Sequence, residues 1–163
     1  MKIVLVGINA KYIHTNLAVR SLQANAGKYR NEVEIAEYTI NHSIQEILSD
    51  LFDREPDVVG FSCYLWNIEY VMRLAQDWKK IWPQGKIVVG GPEVSYNPEK
   101  TFEQYPFVDL LIRGEGENTF KEVLAWLHGE KQSRAELSGV AYLEEGELHI
   151  CLLYTSPSPR DVE

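Results

Sequence analysis

Four short segments gather the residue types able to do chemistry. Asn9-Ala10-Lys11-Tyr12-Ile13-His14 sets an amide, a cation, a phenol and an imidazole side by side, all able to hydrogen-bond a polar ligand. An ordinary polar loop has the same composition. In Ser62-Cys63-Tyr64 the hydroxyl of Ser62 can bond a ligand or satisfy a neighbouring backbone group. Cys63 reads as a packed thiol, with no local histidine to activate it. Gly90-Gly91-Pro92-Glu93 removes two successive Cβ atoms, so a flat ligand or another backbone can come close. Arg113-Gly114-Glu115-Gly116-Glu117 places carboxylates beside flexible backbone, where they can do acid–base work or simply favour the start of a helix. No nucleophile or metal ligand accompanies them. No Gly-x-Gly-x-x-Gly follows the first apolar run, which argues against a standard dinucleotide site.

Each segment needs an element to hold it. Lys2–Ile8, Val58–Ser62, the run from Lys86 and Val108–Ile112 are short and apolar at nearly every position, the pattern of strands covered on both faces. Glu32–Tyr38 alternates and reads as a strand near a sheet edge. Helices are expected at Asn16–Lys28, with Leu17, Leu22 and Ala26 on one side, and after Ser43, where Ser43 and Glu46 form a capping box. In that second helix Ile44, Ile47, Leu48, Leu51 and Phe52 repeat at helical spacing. Further helices are expected at Asn67–Trp82, Pro98–Gln104 and Asn118–His128. Gly139–Leu143 and Glu147–Ile150 flank Glu145-Gly146 as a hairpin. The alternation implies an α/β, Rossmann-like or flavodoxin-like, doubly wound parallel sheet of five strands in the order 2-1-3-4-5, with a C-terminal β-hairpin. That order gathers the ends of strands one, three and four at the crevice where such sheets bind ligands.

Composition bounds the rest. The chain's 163 residues make about one domain, 45% hydrophobic, which excludes a disordered polypeptide. A formal charge of −8 argues against a nucleic-acid surface. No apolar run approaches the roughly 18–20 residues of a membrane span, and the N-terminus has no room for a signal peptide. Cys63 and Cys151 make neither a disulfide framework nor a zinc site, which fits a reducing cytoplasm. His42, His128 and His149 lie among polar or turn residues and are expected in solvent. The tryptophans Trp66, Trp78, Trp82 and Trp126 fall in or beside helix patterns, where packing is the expected role.

Taken in order, Asp57-Val58-Val59-Gly60-Phe61-Ser62, Val88-Val89-Gly90-Gly91-Pro92-Glu93 and Arg113-Gly114-Glu115-Gly116-Glu117-Asn118-Thr119-Phe120 resemble the N-terminal cobalamin-binding-like domain of radical S-adenosylmethionine enzymes. The segment Asn9 to Ala18 is similar to one bacterial branch of that family. The resemblance covers residues 1–150 and implies a corrinoid above the C-terminal edge of the sheet, its nucleotide tail lodged where small residues leave room. Ser62, Gly90 and Gly91 match such tail-lining positions. The resemblance extends the expected cofactor contacts to Asn9, Lys11, Tyr12, His14, Tyr64, Pro92, Glu93, Gly114, Glu115 and Gly116. It also implies a catalytic barrel in cis.

Two features depart from the family pattern. Corrinoid domains that ligate cobalt carry Asp-x-His-x-x-Gly after the first strand. Here Asn9, Lys11 and His14 stand in the comparable places, which leaves His14 the only nearby candidate cobalt ligand. The Cys-x-x-x-Cys-x-x-Cys of an iron–sulfur cluster is absent, so S-adenosylmethionine and [4Fe-4S] chemistry would belong to a catalytic half outside this chain. Residues 151–163, with their Ser-Pro repeat, are expected to be a disordered tail or translated adapter read-through. The expected function is a cobalamin-binding domain, not active alone, from a radical S-adenosylmethionine enzyme of methyltransferase type. The alternatives are a cofactor-free domain of the same fold that packs on a barrel, or a flavin or nucleotide binder.

Overall fold

The computed structural model describes residues 1–10, 16–114 and 116–152. β1 (Ile3–Asn9) is buried along its whole length and lies between β2 (Val33–Thr39) and β3 (Val58–Ser62). β4 (Lys86–Gly90) and β5 (Leu110–Ile112) continue the parallel sheet, giving the order 2-1-3-4-5. The hairpin β6 (Val140–Glu144) and β7 (Glu147–Cys151) does not stand apart from it. β6 pairs antiparallel with β5, so one sheet of seven strands results. β2 and β7 are its edges.

Period-two alternation sends each strand's side chains to two different cores. Val4, Val6, Val59, Phe61, Ile87 and Val89 face one side, under α2 (Ile44–Arg54) and α3 (Ile68–Ile81). Trp78 of α3 is fully buried there, and the short α4 (Pro92–Ser95) and α5 (Pro98–Gln104) complete that layer. Ile3, Leu5, Val58, Val88 and Ile112 face the other side, under α1 (Leu17–Ala24) and α6 (Glu117–Leu127). Helices on both faces of a mainly parallel sheet make the doubly wound architecture.

Local chemistry explains most element boundaries. The Glu46 amide donates to Ser43 Oγ (3.1 Å), the bond expected of that N-cap. The Val19 amide donates to Asn16 Oδ1 (3.2 Å) at the start of α1. Gly7 leaves room for that cap, since a Cβ there would lie 2.8 Å from Asn16 Cβ. α1 stops at Ala24, four residues short of the expected Lys28. Asn25 Nδ2 takes the Ser21 carbonyl (2.8 Å), and Gly27, at φ 64°, opens a 3-10 turn over Gly27–Glu32.

Leu17 is 78% exposed and leaves the apolar stripe to Val19, Leu22 and Ala26. Phe52, expected inward, is exposed and meets Trp82 edge-on across the helix ends. His128 is not in solvent: it stacks on Tyr29 with ring centroids 4.1 Å apart, and its Nε2 lies 2.6 Å from a Glu32 carboxylate oxygen. Cys151 belongs to β7, one residue past the expected limit, and residues 153–163 lie outside the described residues.

Candidate functional site

The parallel register sets the site. Leu5, Gly60 and Val88 form one row across β1, β3 and β4, and Ser62 pairs with Gly90 in the next row toward the carboxyl edge. All face α1 and α6. Gly60, Ser62 and Gly90 bring almost no side chain to that face, so the helices cannot close on the sheet. A cavity of about 550 Å³ is left between them, within the range of small-molecule sites. It runs from Gly91 and Gly114 at the carboxyl edge down to Ile3, Val58 and Leu127 at the opposite edge.

At the mouth, Ser62 is buried, and its hydroxyl makes no hydrogen bond among the described residues. Ser62 lines the cavity there, where a hydroxyl can bond a ligand. Tyr64 lines the same opening and stacks parallel to Trp66 at 6.2 Å. The two glycines separate by role. Gly90 faces the cavity, whereas Gly91 is pressed against the backbone of Cys63, whose amide donates to the Gly90 carbonyl (2.7 Å). A Cβ on Gly91 would lie 2.3 Å from the Cys63 carbonyl oxygen, and its φ of 111° suits glycine alone.

Pro92 begins α4, a turn of helix where the sequence pattern predicts none. Ser95 of α4 closes the wall, its hydroxyl donating to the Gly91 carbonyl (2.7 Å). Gly114 and Gly116, both at positive φ, carry the chain from β5 into α6, and Glu117 accepts from Ser21 Oγ across the mouth. That contact ties α6 to α1 and gives Glu117 a partner within the protein.

The structure thus brings Ser62, Tyr64, Gly90, Gly91 and Pro92 together with Gly114 and Gly116 around one cavity. Two expected contacts fall elsewhere. Asn9 is buried at the end of β1 beside Thr39, and Glu93 is exposed in α4; neither lines the cavity. Lys11, Tyr12, His14 and Glu115 lie outside the described residues. Sequence reasoning passed over Leu5 and Gly60 on the sheet side, and Val19, Phe120 and Val123 on the helix side. Gly60 was legible: a glycine inside an apolar strand, two residues before Ser62, marks the same face. Cys63 is fully buried, and that burial pushes its thiol up to about 12, which makes it an inert packing group.

A doubly wound sheet with a deep apolar cavity opening at its switch point defines a small-molecule-binding domain. Residues 3–124 match the B12 binding domain family, and the chain belongs to that family. Among curated relatives, it is 40% identical over 87 residues to the cobalamin-dependent radical SAM methyltransferase TokK of Streptomyces tokunonensis, covering 53% of this chain and 13% of that protein. It is 41% identical over 81 residues to the 2-(S-pantetheinyl)-carbapenam-3-carboxylate methyltransferase of Streptantibioticus cattleyicolor, covering 50% of this chain and 12% of that one. The matched stretch is therefore about an eighth of each relative. Among solved structures, the cobalamin-dependent S-adenosylmethionine radical enzyme OxsB with aqua-cobalamin and S-adenosylmethionine bound superposes with a TM-score of 0.76. That pair shares 24% identity over 95% of this chain and 22% of the enzyme. These matches bear out the family resemblance and the α/β fold read from the sequence.

Proposed function

We propose that this domain holds cobalamin at the carboxyl edge of its sheet, as the cofactor module of a radical S-adenosylmethionine methyltransferase. One observation carries the proposal: Ser62 and Gly90, far apart in sequence, are register partners at the open end of a deep cavity. The residues present fit a corrinoid's nucleotide tail. Gly60 and Gly90 leave the sheet face bare, Ser62 offers a hydrogen bond at the mouth, and Val19, Phe120 and Val123 wall the channel against water. Tyr64 and the glycines at 114 and 116 form the rim that would meet the corrin ring.

When bound, the corrinoid would relay a methyl group or assist radical chemistry; the protein supplies orientation and exclusion of solvent. Among the described residues no histidine lines the cavity, and His14, which lies outside them, is the residue that would ligate cobalt if any histidine of this chain does. Leu65, Trp66 and Tyr96 are exposed apolar groups in the segments that follow β3 and β4. A catalytic barrel in cis is the partner we assign to that edge. The protein would work in the cytoplasm, where its free cysteines stay reduced.

Mixing the chain with hydroxocobalamin, desalting and recording the visible spectrum tests the reading. Retained corrinoid at one per chain is the expected result. A folded sample that emerges colourless returns the domain to the cofactor-free alternative.

A further inference from the structure

We infer that the foot of the cavity selects the lower base of the corrinoid, accepting a benzimidazole and rejecting a purine. The inference rests on the cobalamin reading above and concerns which corrinoid the domain takes. The polar side chains of the cavity are confined to its mouth: Ser62 ends β3, Tyr64 follows it, Ser95 lies in α4 and Glu117 opens α6. α6 runs antiparallel to the strands, so its later residues reach the opposite edge. There the lining is Ile3, Leu5, Val58, Val123 and Leu127, which present carbon alone. The strand amides and carbonyls between them are spent in the β1–β3–β4 ladder.

A dimethylbenzimidazole meets such walls with a hydrocarbon ring and two methyl groups. Adenine in the same place carries two ring nitrogens and an exocyclic amine with no partner. Unpaired polar groups in an apolar site are rejected far more strongly than a small change of size.

Partners for an amine do exist one side chain away. A second cavity of about 310 Å³, lined by Asp57, Gln84, Lys86 and Trp126, lies behind the foot and shares Val58 and Leu127 with it. Those two side chains are the partition. Leu127 ends α6, is half-buried and stands between the two cavities, so it is the residue that sets the specificity.

The test compares cobalamin with the cobamide whose lower base is adenine, each titrated by absorbance and tryptophan fluorescence into the full 163-residue chain. Cobalamin is expected to bind roughly tenfold to a hundredfold more tightly. Leu127→Gln, which puts an amide into the foot, is expected to narrow that ratio by strengthening the adenine form. Val123→Thr, nearly isosteric, supplies a hydroxyl at the adjacent wall and acts in the same direction, with melting curves checking that both variants fold. Equal affinities for the two cobamides overturn the selection and leave the cofactor reading standing. Parallel weakening of both ligands in the two variants overturns the role of Leu127 and the foot. Failure of either cobamide to bind overturns the cofactor reading and the selection with it.

Discussion

A Cβ built on Gly90 would sit 3.6 Å from the Ile112 carbonyl oxygen, an ordinary contact, whereas one on Gly91 would collide with the Cys63 backbone. The adjacent glycines are therefore small for different reasons, and substitution separates them. Gly90→Val places a β-branched side chain in an ordinary strand conformation, so stability is expected to hold or rise while the cavity mouth fills. Cobalamin affinity should fall by at least about tenfold, the cost of forcing a ligand against a packed side chain. Gly91→Ala is expected to cost on the order of 3 kcal/mol, from left-handed strain and displacement of Cys63. Urea titration and cobalamin titration on the two variants check the pair; loss of stability in Gly90→Val with binding intact would invert the assignment.

The hairpin of β6 and β7 supports the sheet without touching the cavity. Its turn, Glu145-Gly146, has φ of 52° and 81°, the mirror-image turn that matches strand twist. Gly146→Ala is accordingly expected to lower stability by about 1 kcal/mol in urea, with cobalamin affinity unchanged. This turn was readable because an acidic residue and glycine between alternating runs is a local signal. Val58–Ser62 and Pro98–Gln104 were readable to the residue, and the start of the strand at Lys86 with them, for the same reason: their limits are set by nearby Pro, Gly and Asn.

What was not readable depends on distant groups. The antiparallel docking of β6 on β5 is decided by which edge is free, not by the sequence of β6. α4 was hidden because Gly91-Pro92 reads as a turn, and only the Cys63 backbone against Gly91 fixes the angle at which the helix begins. Gly116 was placed at the mouth, but its closeness to Ile112 and Leu22, which decides how tightly α6 approaches α1, belongs to tertiary packing alone.

At the scale of the whole molecule, two carboxylates fasten elements at the β2 end of the sheet, one on each face. Asp50 of α2 accepts from Tyr38 of β2 and from Arg54 Nε (3.1 Å), and these bonds, Tyr38 first, hold its carboxyl below the ordinary value of 3.8. Glu32, ahead of β2, accepts from the N-terminal ammonium (3.1 Å) and lies against His128 of the α6 end; the ammonium first, then the imidazole, hold it below 4.5. A carboxyl depressed in the folded state binds fewer protons there than in the unfolded chain. Its stabilisation is complete above the unfolded pKa and drains away as pH falls through the folded one. Urea midpoints should therefore be flat near neutrality and decline as pH drops below about 4.5.

The double variant Tyr38→Phe/Glu32→Gln removes the largest cause at Asp50 and the titrating group at position 32. It should start from a lower midpoint at pH 7 and lose less between pH 5 and pH 3. Neither carboxylate lines the cavity, so cobalamin affinity at neutral pH should match in the parent and the variant. A variant as acid-sensitive as the parent would place the titrating groups elsewhere. One that lost cobalamin at neutral pH would mean that the β2 edge, through α1 and α6, sets the width of the cavity.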